Sequence, residues 1–288
     1  MRIAVASGKG GTGKTTVAVN LAGIMAKSSK SICYVDCDVE EPNGHLFLKP
    51  VIEKEWPAVL PIPEIDEASC DRCGECREIC QYNAITVIVD NVLVFPELCH
   101  GCGGCALVCP QKAIAETPRE VGSVATGKSG KVKFVSGRLN VGEPLATTVI
   151  RTVKKSIEEE ENILIDAPPG TSCPMVESIN GSDFVLLVTE PTPFGFNDLK
   201  LAVETVRKLD LDFGVVINRA DIGDDSVEKY CRDEKIPVLA EIPDDRRIAE
   251  IYSRGEIIYT ALPEFRSRLE DISACLDKFF EKNREDKI

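Results

Sequence analysis

Runs of consecutive apolar residues alternate along this chain with stretches whose apolar positions recur every three or four residues. Residues 3–6, 31–35, 162–165, 184–188 and 213–217 are short apolar runs of the kind that fill buried strands. Residues 15–26, 199–209 and 226–235 carry a helical apolar face, and a further helix is expected near 145–160. Strand, helix, strand at this spacing predicts parallel crossovers, hence an α/β fold on a doubly wound, mostly parallel sheet. Three of the runs end in polar residues: Asp36 and Asp38 after the second, Asp166 after the third, Asn218 and Arg219 after the fifth.

The pattern breaks at residues 57–63, where three prolines read as a linker. A cysteine-rich block follows, from Cys70 to Cys109. Glycine-rich text at 127–137 resembles a hairpin, after which the α/β pattern resumes. The expected organisation is one domain made of residues 1–60 and 119–288, with a small α+β unit at 61–118 inserted into it.

Composition adds limits. The chain has 288 residues, 43% of them hydrophobic, enough for a substantial core. Only the charged tail after Phe280 suggests disorder. The formal charge of −13 disfavours nucleic acid and a basic membrane-surface helix. No apolar run approaches the ~18 residues that span a bilayer, and the amino terminus enters a strand rather than a signal peptide. A cytoplasmic location is therefore expected, with no membrane and no nucleic-acid partner. Thirteen cysteines in such a compartment are not expected to form disulfides.

Residues 8–15, Gly8, Lys9, Gly10, Gly11, Thr12, Gly13, Lys14 and Thr15, lie between a predicted strand and a predicted helix, with Thr16 next. That context makes the loop a phosphate cradle: glycines let backbone N–H groups turn inward, and the helix start adds partial positive charge. Lys14 can reach the β- and γ-phosphates, and the Thr15 hydroxyl can ligate Mg²⁺. The string KGGTGKTT at 9–16 resembles the deviant Walker A motif of the MinD/Mrp/ParA family of P-loop ATPases, which includes the nitrogenase iron protein. The resemblance covers the chain outside the cysteine block and implies ATP or ADP as ligand. It implies that Lys9 crosses a nucleotide-sandwich dimer to the partner's phosphates. It further implies that Asp38 positions the attacking water, that Asp166 holds Mg²⁺ through water, and that Gly170 senses the γ-phosphate. Asn218 and Arg219 would meet the base, under a loop formed by Pro243, Asp244 and Asp245. Asp36 lies at the same strand end, with a role the motif does not define.

The cysteine block is an internal repeat. Cys70, Cys73, Cys76 and Cys80 form one C-x2-C-x2-C-x3-C run; Cys99, Cys102, Cys105 and Cys109 form another, and each is followed by Ala-Ile at 84–85 and 113–114. Each run matches the bacterial ferredoxin pattern, and the second ends in Pro110 as that pattern does. The resemblance implies two 4Fe–4S clusters, the fourth cysteine of each run serving the other cluster. Cys70, Cys73, Cys76 and Cys109 would hold one, and Cys99, Cys102, Cys105 and Cys80 the second. Zinc is the competing reading and prefers paired C-x2-C knuckles. His100 reads as a loop residue. Of the other five cysteines, Cys33, Cys37, Cys231 and Cys275 read as core or surface residues. Cys173, seven residues after Asp166, stands where the nitrogenase iron protein has a ligand to a shared cluster, without the second cysteine that such a site needs.

No Ser-His-Asp or Cys-His arrangement is legible with only His45 and His100 available. The leading expectation is a dimeric Mg²⁺-dependent ATPase coupling nucleotide state to electron transfer. The dimer would be a homodimer, or a heterodimer with a paralogous ATPase, and a redox protein or an Fe–S acceptor would be its partner. The alternatives are an Fe–S assembly or carrier ATPase of the Mrp type, and a spatial organiser like MinD or ParA.

Overall fold

The computed structural model describes residues 1–27, 31–89 and 91–285. The first crossover is β1 (Arg2–Ala6), α1 (Lys14–Lys27) and β2 (Ile32–Asp36), followed by the short α2 (Gly44–Leu48). Next comes β3 (Val51–Ile65). The cysteine-bearing stretch holds α3 (Glu75–Ile79), a hairpin of β4 (Ile85–Ile88) and β5 (Asn91–Val94), and α4 (Gly104–Val108). The chain returns as β6 (Ile114–Ser129) and turns at Gly130 into β7 (Val132–Leu139). Then follow α5 (Ala146–Lys155), β8 (Ile163–Asp166), α6 (Cys173–Ile179), β9 (Phe184–Thr189), α7 (Pro193–Lys208) and β10 (Phe213–Asn218). The last elements are α8 (Ser226–Asp233), β11 (Val238–Ile242), α9 (Arg246–Ser253) and α10 (Pro263–Glu285).

Among the described residues these strands form a nine-stranded sheet in the order β11-β10-β9-β1-β8-β2-β7-β6-β3. Pairing is parallel from β11 to β7 and antiparallel from β7 through β6 to β3. The doubly wound, mostly parallel sheet is thus present. The pleat divides each central strand between two cores. Ala4, Ala6, Cys33 and Val35 pack under α5, α6 and α7, while Ile3, Val5, Ile32 and Tyr34 pack under α1 and α10.

Residues 57–63 are not a linker. Pro57, Pro61 and Pro63 sit inside β3, opposite Ser123, Pro118 and Glu116 of β6. β3 is the last strand of the sheet. All three prolines occupy odd positions, so their nitrogens face one side of the strand. A strand with a neighbour on one side only can lose those donors without opening the ladder. The result is a long two-stranded ribbon running from Val51↔Lys128 to Ile65↔Ile114. The expected unit boundaries at 60/61 and 118/119 fall within this ribbon.

The helix expected from 199 begins at Pro193, because Thr192 caps it: its hydroxyl accepts from the Gly195 N–H at 3.0 Å. The helix expected over 145–160 ends at Lys155. The tail after Phe280 is not disordered up to Glu285, since α10 continues that far; residues 286–288 lie outside the described residues. Phe265, Leu269, Ile272 and Leu276 form the buried stripe that anchors this helix. Among the described residues no helix is long and apolar enough to cross a membrane.

The cysteine repeat is a structural repeat. Gly74 and Gly103 stand before α3 and α4 with φ of 88° and 72°, a conformation that favours glycine. Each helix ends at a cysteine, Cys80 or Cys109. The sulfur of each accepts an N–H at 3.3 Å, from Ala84 and from Ala113 respectively.

Candidate functional site

The loop from Gly8 to Gly13 leaves the end of β1 and enters α1 at Lys14. Gly11 and Gly13 hold φ of 81° and 90°. A side chain on Gly13 would collide with the Asn218 amide, and one on Gly8 with the backbone of Asp198. The loop therefore needs glycine at both places for packing, and at Gly13 for its backbone conformation as well. It opens onto a cleft of about 390 Å³ that Lys9, Gly10, Gly11, Gly13, Lys14 and Thr15 line on one side. Thr16 and Asp38 border it too, as do Asn218, Arg219, Pro243 and Asp244 from the far strands.

Lys14 is buried and its Nζ lies 2.6 Å from Oδ1 of Asp166, itself fully buried at the end of β8. Burial alone would depress the lysine; attraction from Asp166, Asp38 and Asp36 outweighs it and holds the ammonium above its ordinary range. The second Asp166 oxygen accepts the Tyr34 hydroxyl at 2.9 Å. Burial, helped by Asp166, keeps that phenol well above its ordinary value. Asp36 faces Asp166 across β2 and β8 and accepts the Gly44 N–H at 2.9 Å. Burial first, and Asp166 second, push Asp36 up to about 7. Asp38 rises to about 6, chiefly by burial, with Lys14 opposing. Three carboxylates around one ammonium make a site short of positive charge, suited to a divalent cation beside phosphates.

Asn218 donates to the Thr12 carbonyl at 2.8 Å, tying the end of β10 to the phosphate loop. Arg219 lies 3.2 Å from Glu190 and 3.6 Å from Asp244. Lys9 is 2.5 Å from the other Glu190 oxygen. In this chain Lys9 is thus engaged by its own molecule. The Gly170 N–H donates to the Ser7 carbonyl at 2.9 Å, and its neighbour Pro169, rather than Gly170, borders the cleft.

Sequence reasoning missed Glu190, Tyr34 and part of the cleft wall. Glu41 and Asn43 border the cleft after β2, and Ile248, Ala249 and Tyr252 of α9 form its far side. The Tyr252 ring packs on Phe47 of α2, centroids 4.7 Å apart. Glu190 had one legible signal, a strand-end carboxylate at the edge of the run 184–188. Tyr252 had none, because its element shows no link to the loop before the chain folds.

The eight repeat cysteines line two separate cavities. Cys70, Cys73 and Cys76 share one with Cys109, closed by Ile65 and Ile114 at the ribbon's end. Cys99, Cys102 and Cys105 share the other with Cys80, closed by Pro61 and Pro63. The structure therefore brings together both expected sets of three plus one. Cys99 also accepts the Gly101 N–H at 3.4 Å. His100 lies at the second cavity, its ring stacked on Tyr82 with centroids 3.6 Å apart. Cys173 is exposed at the start of α6, and Cys33, Cys37 and Cys231 are buried.

A glycine loop between a buried strand and a helix, with a buried lysine held on a strand-end aspartate, defines a P-loop nucleotide-binding protein. The chain belongs to the family described as the CobQ/CobB/MinD/ParA nucleotide binding domain, which matches residues 3–258. That membership implies ATPase chemistry. An uncharacterised protein of Methanocaldococcus jannaschii is 31% identical over 283 residues, 95% of this chain and 96% of that protein. An iron-sulfur cluster carrier protein of Pyrococcus abyssi is 26% identical, over 99% of this chain and 89% of that one. The cell division ATPase MinD of Pyrococcus furiosus shares the fold, with a TM-score of 0.61 at 21% identity, over 96% of this chain and 98% of that chain.

Proposed function

We propose that this protein is a Mg²⁺-dependent ATPase that acts as a dimer and couples its nucleotide state to electron transfer by two 4Fe–4S clusters. The observation that carries the reading is the sorting of eight thiols into two cavities at the end of a ribbon rooted in the nucleotide-binding sheet. In this reading residues 61–118 are an inserted ferredoxin-like unit, and 1–60 with 119–288 are the ATPase.

The donor set fits the clusters. Four cysteines from two stretches of chain help line each cavity, and backbone N–H groups of Ala84, Gly101 and Ala113 already point at sulfur. Such N–H groups stabilise the negative charge of a thiolate-bound cluster. Bound there, the clusters would supply reversible one-electron chemistry. The nucleotide site fits as well. Lys14 would exchange Asp166 for phosphate oxygens, Thr15 and Asp166 would hold Mg²⁺, and Asp38 would orient water. Lys9 would exchange Glu190 for the phosphates of a second subunit, a copy of this chain or a paralogous ATPase. Release of the segment after β2, which carries Asp38 and leads through α2 into β3, would alter how the ribbon presents its thiol-lined end to a redox partner.

The test is to reduce the clusters and follow their oxidation by a candidate redox partner, with ATP and with ADP. Lys14→Ala should lose nucleotide binding. Lys9→Ala should bind nucleotide normally yet lose most hydrolysis and the ATP effect. Equal oxidation rates under all these conditions would sink the coupling, and normal hydrolysis by Lys9→Ala would sink the dimer.

A second reading, an Fe–S carrier ATPase of the Mrp type, is favoured by the carrier relative of Pyrococcus abyssi. It requires clusters that move intact to an apo-acceptor. Retention of both clusters through such an incubation removes it.

A further inference from the structure

We propose that Tyr34 is a positioning residue for magnesium, fixing the Asp166 carboxylate while Lys14 leaves it for the nucleotide. The proposal rests on the reading of Asp166 as the residue that holds Mg²⁺.

A tyrosine in the middle of a fully buried central strand is unusual, because its hydroxyl must find a partner there. Tyr34 is completely buried, and its neighbours in β2 are Ile32, Cys33 and Val35. Its ring lies along Phe134 of the next strand, centroids 5.9 Å apart and planes 16° apart. The register sets Tyr34 beside Leu164 and Asp36 beside Asp166. Tyr34 and Asp36 share a face, two residues apart. The length of a tyrosine carries the hydroxyl up one rung, diagonally onto the Asp166 carboxylate. A leucine or valine at 34 would stop short of it.

The two oxygens of Asp166 are engaged by different kinds of donor. Oδ1 faces Lys14 at 2.6 Å, and Oδ2 accepts Tyr34 at 2.9 Å. Lys14 is a flexible chain with a second claim on it, the phosphates that enter the cleft. Tyr34 has no such freedom, since sheet neighbours enclose its ring. Departure of Lys14 would leave Oδ1 free to help hold the metal, while Tyr34 would keep the carboxylate from turning. Gly44 completes the device: any side chain there would collide with the Tyr34 hydroxyl. The Gly44 N–H holds Asp36. Tyr34 therefore sits between the metal-holding aspartate and the start of the segment that follows Asp38.

The test is Tyr34→Phe in the full chain with its clusters in place, a change that keeps the ring and removes the hydroxyl. Mn²⁺ replaces Mg²⁺ and is titrated in the presence of ADP by its electron paramagnetic resonance signal. ADP affinity without metal is measured in parallel. The expected result is a loss of Mn²⁺ affinity of about tenfold, the range for outer partners of a metal ligand, with metal-free ADP binding unchanged. Wild-type Mn²⁺ affinity in Tyr34→Phe overturns the proposal, and so does loss of metal-free ADP binding alongside it. Asp166→Asn separates the two levels. If it loses Mn²⁺ while Tyr34→Phe does not, Tyr34 has no such role and the reading of Asp166 stands. If it too binds Mn²⁺ normally, that underlying reading fails. Gly44→Ala displaces the hydroxyl without removing it and should weaken Mn²⁺ in the same direction; should Tyr34→Phe not fold, Gly44→Ala decides the question by the same criteria.

Discussion

Lys9 lies in the phosphate loop and Lys14 at its junction with α1, and their surroundings differ. Lys14 is enclosed by carboxylates inside the molecule, whereas Lys9 stands at the rim, partly exposed, with Glu190 as its partner. The same enclosure makes the site sensitive to pH. An unfolded aspartate titrates near pH 4, while Asp36 in the fold titrates at about 7. Between those values the folded state holds a proton that the unfolded state has lost. The stability this contributes is full below about pH 4 and disappears as pH rises through 7. The nucleotide-free, metal-free protein should therefore weaken toward neutrality. Asp36→Asn should flatten that slope and raise stability at pH 8 by on the order of a few kcal/mol. Urea unfolding between pH 5 and 8 reads both effects, and an unchanged slope in the variant rejects the assignment.

At the scale of elements, the two cysteine loops are symmetric but not independent. α3 and α4 each end on the cysteine that belongs to the other loop's cavity. With the two clusters proposed above, Cys109→Ser should cost the one held by Cys70, Cys73 and Cys76, and leave that of Cys99, Cys102 and Cys105. Iron and labile sulfide would fall by about half, and one of two overlapping electron paramagnetic resonance signals would vanish. Loss confined to the second loop's cluster rejects the exchange. The grouping of these cysteines was legible because their spacing on two tight loops decides which thiols can share a cavity. The phosphate loop was legible for a similar reason, since few residue types allow backbone N–H groups to converge. β3 was not. Three prolines normally end regular structure, and only the sheet order reveals that β3 needs no donors on its outer side. α7 was read six residues too late, at 199 rather than Pro193, because its start depends on the Thr192 cap and not on its apolar stripe.

For the whole molecule, the sequence defined the sheet's central strands well and its periphery poorly. Central strands are continuous apolar runs because both faces are covered. Peripheral ones such as β3 and the first half of β6 carry exposed and charged positions; residues 57–63 of β3 read as a linker, and the start of β6 gave no strand signal. The far wall of the cleft, Ile248 to Tyr252, was invisible for a different reason: it joins the phosphate loop only through the winding of the chain. The ribbon has one more consequence. Its strands enter and leave the sheet side by side, and every rung from Val51↔Lys128 to Ile65↔Ile114 pairs the same two segments. If the cysteine-bearing tip is the inserted unit proposed above, the ribbon can be closed at its last rung without it. Joining Ile65 to Ile114 through a two-residue Asn-Gly turn, which suits a tight hairpin, should give a protein without the eight repeat cysteines that still folds and binds ADP as tightly as the parent. Calorimetry with ADP checks it; a chain that no longer folds would mean that the tip supports the sheet. Two strands that leave and re-enter a sheet side by side would let a tip be exchanged without redesigning the sheet beneath it.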